Sequence, residues 1–445
     1  MSSSKQRRRG NMLPLAFFLL ADTFWTRFGD PELPRLIEKA QRGNLDLELA
    51  TRRIMEARAA AGVARSWIVP SLNLSGSAQR LRGGFQQGVT RIPQSTSAPP
   101  GGAFVAPFET PVYQSGFDMR WEIDLFGANR QRAGAAESEV KAVEWERRDL
   151  EVVITAEVAL AYIEMRGWEE RAAILARSRD AQREILRLTL VRADAGLASQ
   201  LDVEREAARL ASAEALLPPL EAGRRVRLNR LAVLTGDRDL ALASATAALR
   251  LPDLPVEIDS EILRNRPDVR AADLLVAAEQ ARLKAARTDL YPKISLTGLM
   301  GRQATSAGGL SFGGGNFFGF GPQLHLPLFS GGRIRSGIAA QDARLAQAAT
   351  RYRQEILAAF EEAANALVTY AQEQARTRSL DEAVRAASRS LALALDLHQA
   401  GLADLLAVFN AERQKLEAED ARSASATAAL SQAAAVYKAL RGEWK

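Results

Sequence analysis

The chain contains an internal repeat, and this repeat limits the folds that its 445 residues can adopt. A segment around Pro70 returns around Pro292, and a glycine at Gly196 returns at Gly401. Four pairs of segments occur in the same order: Trp67–Gly76 with Asp289–Gly298, Leu125–Gly127 with Leu328–Ser330, Ala195–Ala198 with Ala400–Ala403, and Leu234–Gly236 with Leu440–Gly442. Landmarks that keep their order predict two copies of one architecture.

These landmarks divide the chain into two structural repeats. We predict a first repeat at 23–239, a linker at 240–256 and a second repeat at 257–445. Residues 1–22 hold a basic cluster followed by an apolar stretch. Because this is the order of a secretory signal, we predict a signal-like leader there.

Each repeat carries a pair of segments in which apolar and polar residues alternate. The longest alternation runs from Tyr113 to Leu125. It is long enough to cross a bilayer as a tilted strand, and a half-buried strand of a soluble sheet would show the same pattern. We predict one β-hairpin at 71–125 and a second at 293–329.

The connections inside these hairpins are rich in glycine. Residues 80–111 also contain many Gln, Ser and Pro residues, and residues 301–315 form a shorter glycine-rich segment. Because neither segment has hydrophobic periodicity, we predict two solvent-exposed loops.

Most of the remaining sequence has the spacing of long helices. Apolar positions recur at intervals of three and four, and alanine occupies many of them, which is typical of closely packed coiled coils. Gly167 and the segments around Arg179 and Arg389 are the candidate interruptions of these helices.

Glycine and proline mark where the helices end. Gly196 and Gly401 are predicted to cap one long helix in each repeat and to reverse the chain. Pro218 and Pro219 are predicted to end or kink the returning helix of the first repeat, because an interior proline costs about 3 kcal/mol. The second repeat has no such prolines and is predicted to return as a straighter helix.

The composition excludes several classes of protein. The sequence has no cysteine and two histidines, which excludes disulfides, cysteine nucleophiles and histidine-rich metal centres. The net charge of +6 is small beside the number of charged residues, so nucleic-acid binding is not predicted. The glycine-rich segment 308–321 lacks the Lys-Ser/Thr of a phosphate loop, and we predict no cofactor and no enzymatic activity.

Any membrane crossing would have to use the predicted strands. No stretch after the leader approaches the ~20 apolar residues of a spanning helix. The smallest membrane barrels have about 8 strands, so a chain with four strands could close one only in an oligomer. Two chains or three would suffice, and the residues themselves do not choose between them.

Five motifs, spread over nearly the whole chain, are shared with one known family. They are Trp25–Leu33, Leu263–Arg270, Tyr291–Gly298, Leu328–Arg333 and Val436–Gly442. With these motifs the chain resembles the TolC-like outer-membrane factors, and within them the OprM/NodT-like branch of efflux channels.

The resemblance implies a mixed α/β membrane protein that is mainly α. It implies a homotrimer in outer-membrane lipid, with a 12-stranded β-barrel of four strands per chain continued by an α-helical coiled-coil periplasmic tunnel. The implied function is a passive exit duct for small molecules, coupled to an inner-membrane pump through a periplasmic adaptor (membrane fusion) protein. A duct for type I protein secretion is the alternative, and a structural coiled-coil protein is a further one.

The resemblance also implies two sets of site residues. The turns that would meet the adaptor are Gly196, Leu197, Ala198, Ser199, Gly401, Leu402 and Ala403. The residues that would narrow the tunnel are Asp202, Leu406, Ala407, Asn410, Arg413 and His398. Relatives often carry aspartate at positions 407 and 410, so the expected constriction combines leucine, an amide and one carboxylate per chain instead of a strongly acidic ring.

Overall fold

A computed structural model describes residues 24–83, 108–243, 248–254, 260–307 and 310–440. The leader predicted at 1–22 lies outside these residues. The chain divides into two compact units, each built from segments of both predicted repeats. Unit 1 comprises Met1–Met55, Lys141–Leu274 and Thr350–Lys445, and unit 2 comprises Glu56–Val140 and Leu275–Ala349. The division into two repeats stays a prediction.

The described chain is mainly helical. Its helices are α1 (Glu32–Gly43), α2 (Leu45–Ser66), α3 (Ala128–Asp194), α4 (Gln200–Ala215), α5 (Leu217–Thr235), α6 (Ser260–Asn265), α7 (Pro267–Arg287), α8 (Arg333–Gln399) and α9 (Leu405–Ala439). Its strands are β1 (Ser71–Gly83), β2 (Phe108–Ile123), β3 (Lys293–Ala307) and β4 (Leu310–His325). In the part of the chain described, no helix combines the length and the apolar character needed to span a bilayer.

The two longest helices are continuous, and the candidate interruptions at Gly167, Arg179 and Arg389 are wrong. Helices α3 and α8 each run for 67 residues. A glycine inside a helix costs about 1 kcal/mol, which tertiary packing can offset. At Gly167 the packing partner is Thr427 of α9, which lies so close that a Cβ would come within 2.3 Å of its hydroxyl oxygen.

The prolines act as predicted. Helix α4 ends at Ala215, and α5 begins at Leu217 with its prolines in the first turn, where the amide that proline lacks has no helical partner. The matching helix of the second half, α9, runs unbroken for 35 residues.

Unit 2 contains one antiparallel sheet in the order β1-β2-β3-β4. Residues that face each other across strands share a face, and one apolar row crosses all four strands through Leu74, Phe117, Met300 and Phe318. The other face is largely polar, and there the amide of Asn73 donates a hydrogen bond of 2.9 Å to the carboxylate of Asp118.

The loops are shorter than the sequence predicts. The prediction of a loop at 301–315 is wrong, because β3 extends to Ala307 and β4 starts at Leu310. The ends of the loop predicted at 80–111 belong to β1 and β2, and residues 84–107 lie outside the described residues. Cross-strand contacts compensate for the glycines: the ring of Phe317 lies against Gly301, where a Cβ would come within 2.6 Å of it.

Unit 1 has a core that joins distant parts of the sequence. Trp25 and Phe28 are buried beside Tyr162 of α3 and Tyr437 of α9. The Phe24 and Tyr437 rings stack with their centroids 5.0 Å apart. The segment that precedes α1 is therefore fixed against the last helix.

Candidate functional site

The first predicted turn reverses the chain between α3 and α4. Gly196 has a φ of 72°, in the left-handed region that favours glycine. Its amide donates to the carbonyl of Ala193 at 2.9 Å, and the Leu197 amide donates to the carbonyl of Arg192 at 2.7 Å. These bonds satisfy carbonyls that the end of α3 leaves without helical partners.

A reciprocal cap fixes the start of α4. The Asp202 amide donates to the hydroxyl oxygen of Ser199 at 3.2 Å, while the Asp202 carboxylate accepts from the Ser199 hydroxyl at 2.7 Å and from the Ser199 amide at 3.0 Å. These hydrogen bonds hold the pKa of Asp202 below its usual value. The side chain of this candidate constriction residue is thus ionised at neutral pH and fixed in direction.

The second turn has the same backbone and a different cap. Gly401 has a φ of 71°, and the Leu402 amide donates to the carbonyl of Leu397 at 2.8 Å. Helix α9 follows Asp404, which makes no capping bond with its side chain. The imidazole Nδ1 of His398 lies 3.0 Å from the Ala403 carbonyl, and because a carbonyl only accepts, this nitrogen carries the proton.

Each turn presents an apolar side chain to solvent. Leu197 is 70% exposed and Leu402 is 76% exposed. A leucine this exposed in a turn fills no core, so it is available to a partner.

Three of the constriction candidates lie on one exposed face of α9. Leu406, Asn410 and Arg413 follow each other at helical spacing, and all three are exposed. Arg413 forms an ion pair of 2.7 Å with Glu417 one turn further on. Both side chains are largely exposed, so this pair adds little stability and the arginine can exchange partners.

Ala407 and Asn410 also line a groove between α8 and α9. The groove has a volume of about 570 Å³, and Ala403 of the turn lines it as well. Arg389 of α8 lines the same groove. The sequence analysis did not include Arg389 among the site residues, although a basic residue beside a row of alanines could have indicated a polar position in a groove between helices.

The structure brings some of the candidates in the second half of the chain together around one groove, and the hydrogen bonds of Asp202 stay within the first turn. Among the described residues, the hydrogen bonds of the Asp202 carboxylate go to Ser199 alone. His398, Ala403, Ala407 and Asn410 are joined through the second turn and its groove.

A sequence model of the family "Outer membrane efflux protein" matches residues 36–237 and 259–442. The chain belongs to the outer membrane efflux protein family. It is 29% identical over 428 residues to the pyoverdine export outer membrane protein OpmQ of Pseudomonas aeruginosa, covering 95% of this chain and 87% of OpmQ. It is 27% identical to the toluene efflux pump outer membrane protein TtgI of Pseudomonas putida, covering 94% of this chain and 86% of TtgI.

A solved structure agrees with this family. The outer-membrane channel OprN is 32% identical, with a TM-score of 0.82 over 94% of this chain and 92% of that chain. The predicted family, the mainly helical fold with four strands per chain, the efflux function and the outer-membrane location are confirmed.

One motif of this outer membrane efflux protein has a structural role that the sequence did not reveal. Arg266, between α6 and α7, is only 2% exposed and donates to the Ala439 carbonyl at 2.6 Å and to the Glu362 carboxylate at 2.7 Å. Burial alone would lower the pKa of Arg266, but hydrogen bonds to Asp268 and Glu362 outweigh it and raise the pKa. Arg266 thus joins the segment before α7 to α8 and α9.

Proposed function

We propose that three copies of this chain form a passive exit duct for small molecules across the outer membrane. In this assembly the four strands of each chain contribute to one 12-stranded barrel, and the helices continue it as a periplasmic tunnel. The duct carries out no chemical reaction and uses no cofactor. An inner-membrane pump supplies the energy through a periplasmic adaptor.

The two-faced sheet is the observation that carries this proposal. Its apolar face holds rows such as Leu72, Met119 and Phe320, and its other face holds polar side chains such as Asn73 and Asp118. Membrane barrels have an apolar outer face and a polar interior, so this sheet supports a wall between lipid and a water-filled lumen. Four strands cannot close a barrel alone, which supports an oligomer.

The names of two relatives support small cargo. OpmQ is named for pyoverdine export and TtgI for toluene efflux. Both align over more than nine-tenths of this chain. Cargo of that size favours a duct for small molecules over the alternative of a protein secretion duct.

The two turns support a contact with the adaptor. Gly196, Leu197, Ala198 and Ser199 form the first turn, and Gly401, Leu402 and Ala403 form the second. We assign Asp202, Leu406, Ala407, Asn410, Arg413 and His398 to the constriction just inside these turns. Asp202 would supply the one carboxylate of each chain, which favours cations.

Efflux in cells tests the duct and its turns together. Deleting the gene should raise the accumulation of a small fluorescent dye, and the wild-type gene should restore its exit. We expect Leu197→Glu combined with Leu402→Glu to leave trimer assembly and bilayer conductance intact while abolishing efflux and cross-linking to the adaptor. Leu45→Glu is the matched control, because Leu45 is equally exposed at the start of α2, outside both turns.

The outcomes separate the parts of the proposal. Full efflux by the double variant would remove the two turns from the adaptor contact. Unchanged dye accumulation after gene deletion, with loss of a secreted protein instead, would replace the small-molecule duct by the secretion duct. Purified protein that forms no trimer and no conductance would overturn the duct itself.

A further inference from the structure

An arginine interrupts the apolar face of the sheet. In β3 the positions that share this face are Ile294, Leu296, Gly298, Met300 and Arg302. Register places Arg302 opposite Ser115 of β2 and Asn316 of β4, and Ser115 opposite Gly76 of β1. Arg302 therefore occupies a position at which the alternation predicts an apolar residue. It lies one row beyond the row of Phe117, Met300 and Phe318.

Arg302 is available to a ligand from outside the chain. Its side chain is exposed, and in the described part of the protein it makes no hydrogen bond and no ion pair. Its row contains glycine, serine and asparagine, with no carboxylate to neutralise the guanidinium. Strand β3 lies inside the sheet, so pairing of the outer strands β1 and β4 with other chains would leave this position uncovered.

The position of Arg302 along the strand matches one edge of a lipid layer. From Ile294 to Arg302 the strand rises about 26 Å, which a tilt of about 40° reduces to about 20 Å of height. The next row outward contains Tyr113, and the apolar band of a membrane barrel is about 25 Å tall with aromatic residues at both edges. Arg302 thus lies one row inside the Tyr113 row, on the side of the sheet where β1 and β2 lead to residues 84–107 and opposite to the side from which α3 starts.

The small residues of its row give the arginine room to reach that edge. At Gly76 the nearest heavy atom to a Cβ would be a carbonyl oxygen 4.0 Å away, so the surface beside Ser115 is open. A long arginine side chain can extend along such a surface and place its charge at the level of the headgroups. The cost of an arginine on the lipid face falls to about 0–1 kcal/mol near the interface.

We propose that Arg302 binds a phosphate group of the anionic glycolipid in the outer leaflet of the outer membrane. Guanidinium is the side chain best suited to phosphate, because its planar donors engage two oxygens at once. An exposed guanidinium at headgroup level and a phosphate-bearing lipid are complementary in charge and position. The ligand is the lipid phosphate, held outside the pore, and the inference requires neither the adaptor nor the cargo.

Lipid binding to the purified full-length protein tests this site. The protein in detergent is titrated with bis-phosphorylated lipid A, and the bound lipid is counted by native mass spectrometry. We expect Arg302→Gln to weaken binding about tenfold, the size of one charge-assisted hydrogen bond. Arg302→Lys keeps the charge without the planar fork and should lose less.

Two controls make the result specific. Arg120→Gln removes an exposed arginine on the opposite face of the sheet, paired in register with Ser71 and Thr297, and should bind lipid A like the wild type. With lipid A stripped of its phosphates, wild type and Arg302→Gln should bind equally. Wild-type affinity in Arg302→Gln, an equal loss in Arg120→Gln, or a difference that persists with the stripped lipid would overturn the proposal. If Arg302→Gln fails to assemble on a heat-modifiable gel, the wild type alone still tests the proposal. Equal affinity of the wild type for lipid A with and without its phosphates would then overturn it.

Discussion

At the scale of residues, the two turns share a backbone and differ in how the following helix is capped. Ser199 and Asp202 cap α4 reciprocally, whereas Ala407 occupies the position in α9 that corresponds to Asp202. Only the first turn therefore carries a carboxylate held by its own cap. Because the pKa of Asp202 in the folded chain lies below its usual value of about 3.9, the stabilisation from this cap is complete above that pH and is lost as the pH falls through the lowered pKa.

The charge of Asp202 and its role as a cap can be separated by two variants. Asp202→Asn removes the charge at nearly constant shape, and we expect it to lower the preference for cations in planar bilayers. Ser199→Ala removes a capping hydroxyl worth about 1 kcal/mol but leaves the carboxylate in place, so cation preference should persist. Unchanged selectivity in Asp202→Asn would place the carboxylate outside the constriction and leave it a role in capping alone.

At the scale of elements, local signals predicted the turns and breaks, and contacts between strands and helices decided the rest. Gly196, Gly401 and the paired prolines act through their own backbone geometry, which is visible in the sequence. The glycine-rich inner ends of β3 and β4 were predicted as a loop at 301–315, because the sequence does not show that rings such as that of Phe317 cover glycines from the neighbouring strand. Gly167 was misread for a similar reason, since its purpose is to let Thr427 of α9 approach α3.

Close packing at Gly167 predicts a compensating pair of substitutions. Gly167→Ala would place a Cβ within 2.3 Å of the Thr427 hydroxyl oxygen and 2.5 Å of its methyl carbon, and overpacking of this kind costs about 1–3 kcal/mol. We expect a lower temperature for conversion of the folded band to monomer on heat-modifiable gels. Thr427→Ala removes both atoms and should restore part of the loss in the double variant.

A helical glycine in open space provides the control for this pair. Gly134 has no heavy atom within 4 Å of a Cβ, so Gly134→Ala should leave the conversion temperature equal or slightly higher. Equal conversion temperatures for Gly167→Ala and Gly134→Ala would contradict the explanation that close packing between α3 and α9 requires glycine at position 167.

At the scale of the whole molecule, the motifs that reveal the family hold distant parts of the chain together in unit 1. The Trp25 segment, Arg266 and Tyr437 come from distant parts of the sequence and are all buried in unit 1. Tyr370 adds a hydrogen bond of 2.6 Å to the carbonyl of Pro252 in the predicted linker. A single sequence therefore predicts the fold through its motifs. A constriction would be formed by several chains together, so the roles of positions such as Asp202 and Asn410 stay predictions.

The contact of Phe24 and Trp25 with α9 makes Tyr437 a critical residue for assembly. Its ring is 2% exposed, stacks on Phe24 and lies 4.6 Å from the Trp25 ring. Truncating a buried aromatic ring costs about 3–5 kcal/mol, so we expect Tyr437→Ala to lose the heat-resistant trimer in outer-membrane fractions. Tyr437→Phe retains the ring and should keep the trimer within a few degrees of the wild type. A stable trimer in Tyr437→Ala would show that the segment with Phe24 and Trp25 folds without this ring of α9, and the segment and α9 would then contribute independently to stability.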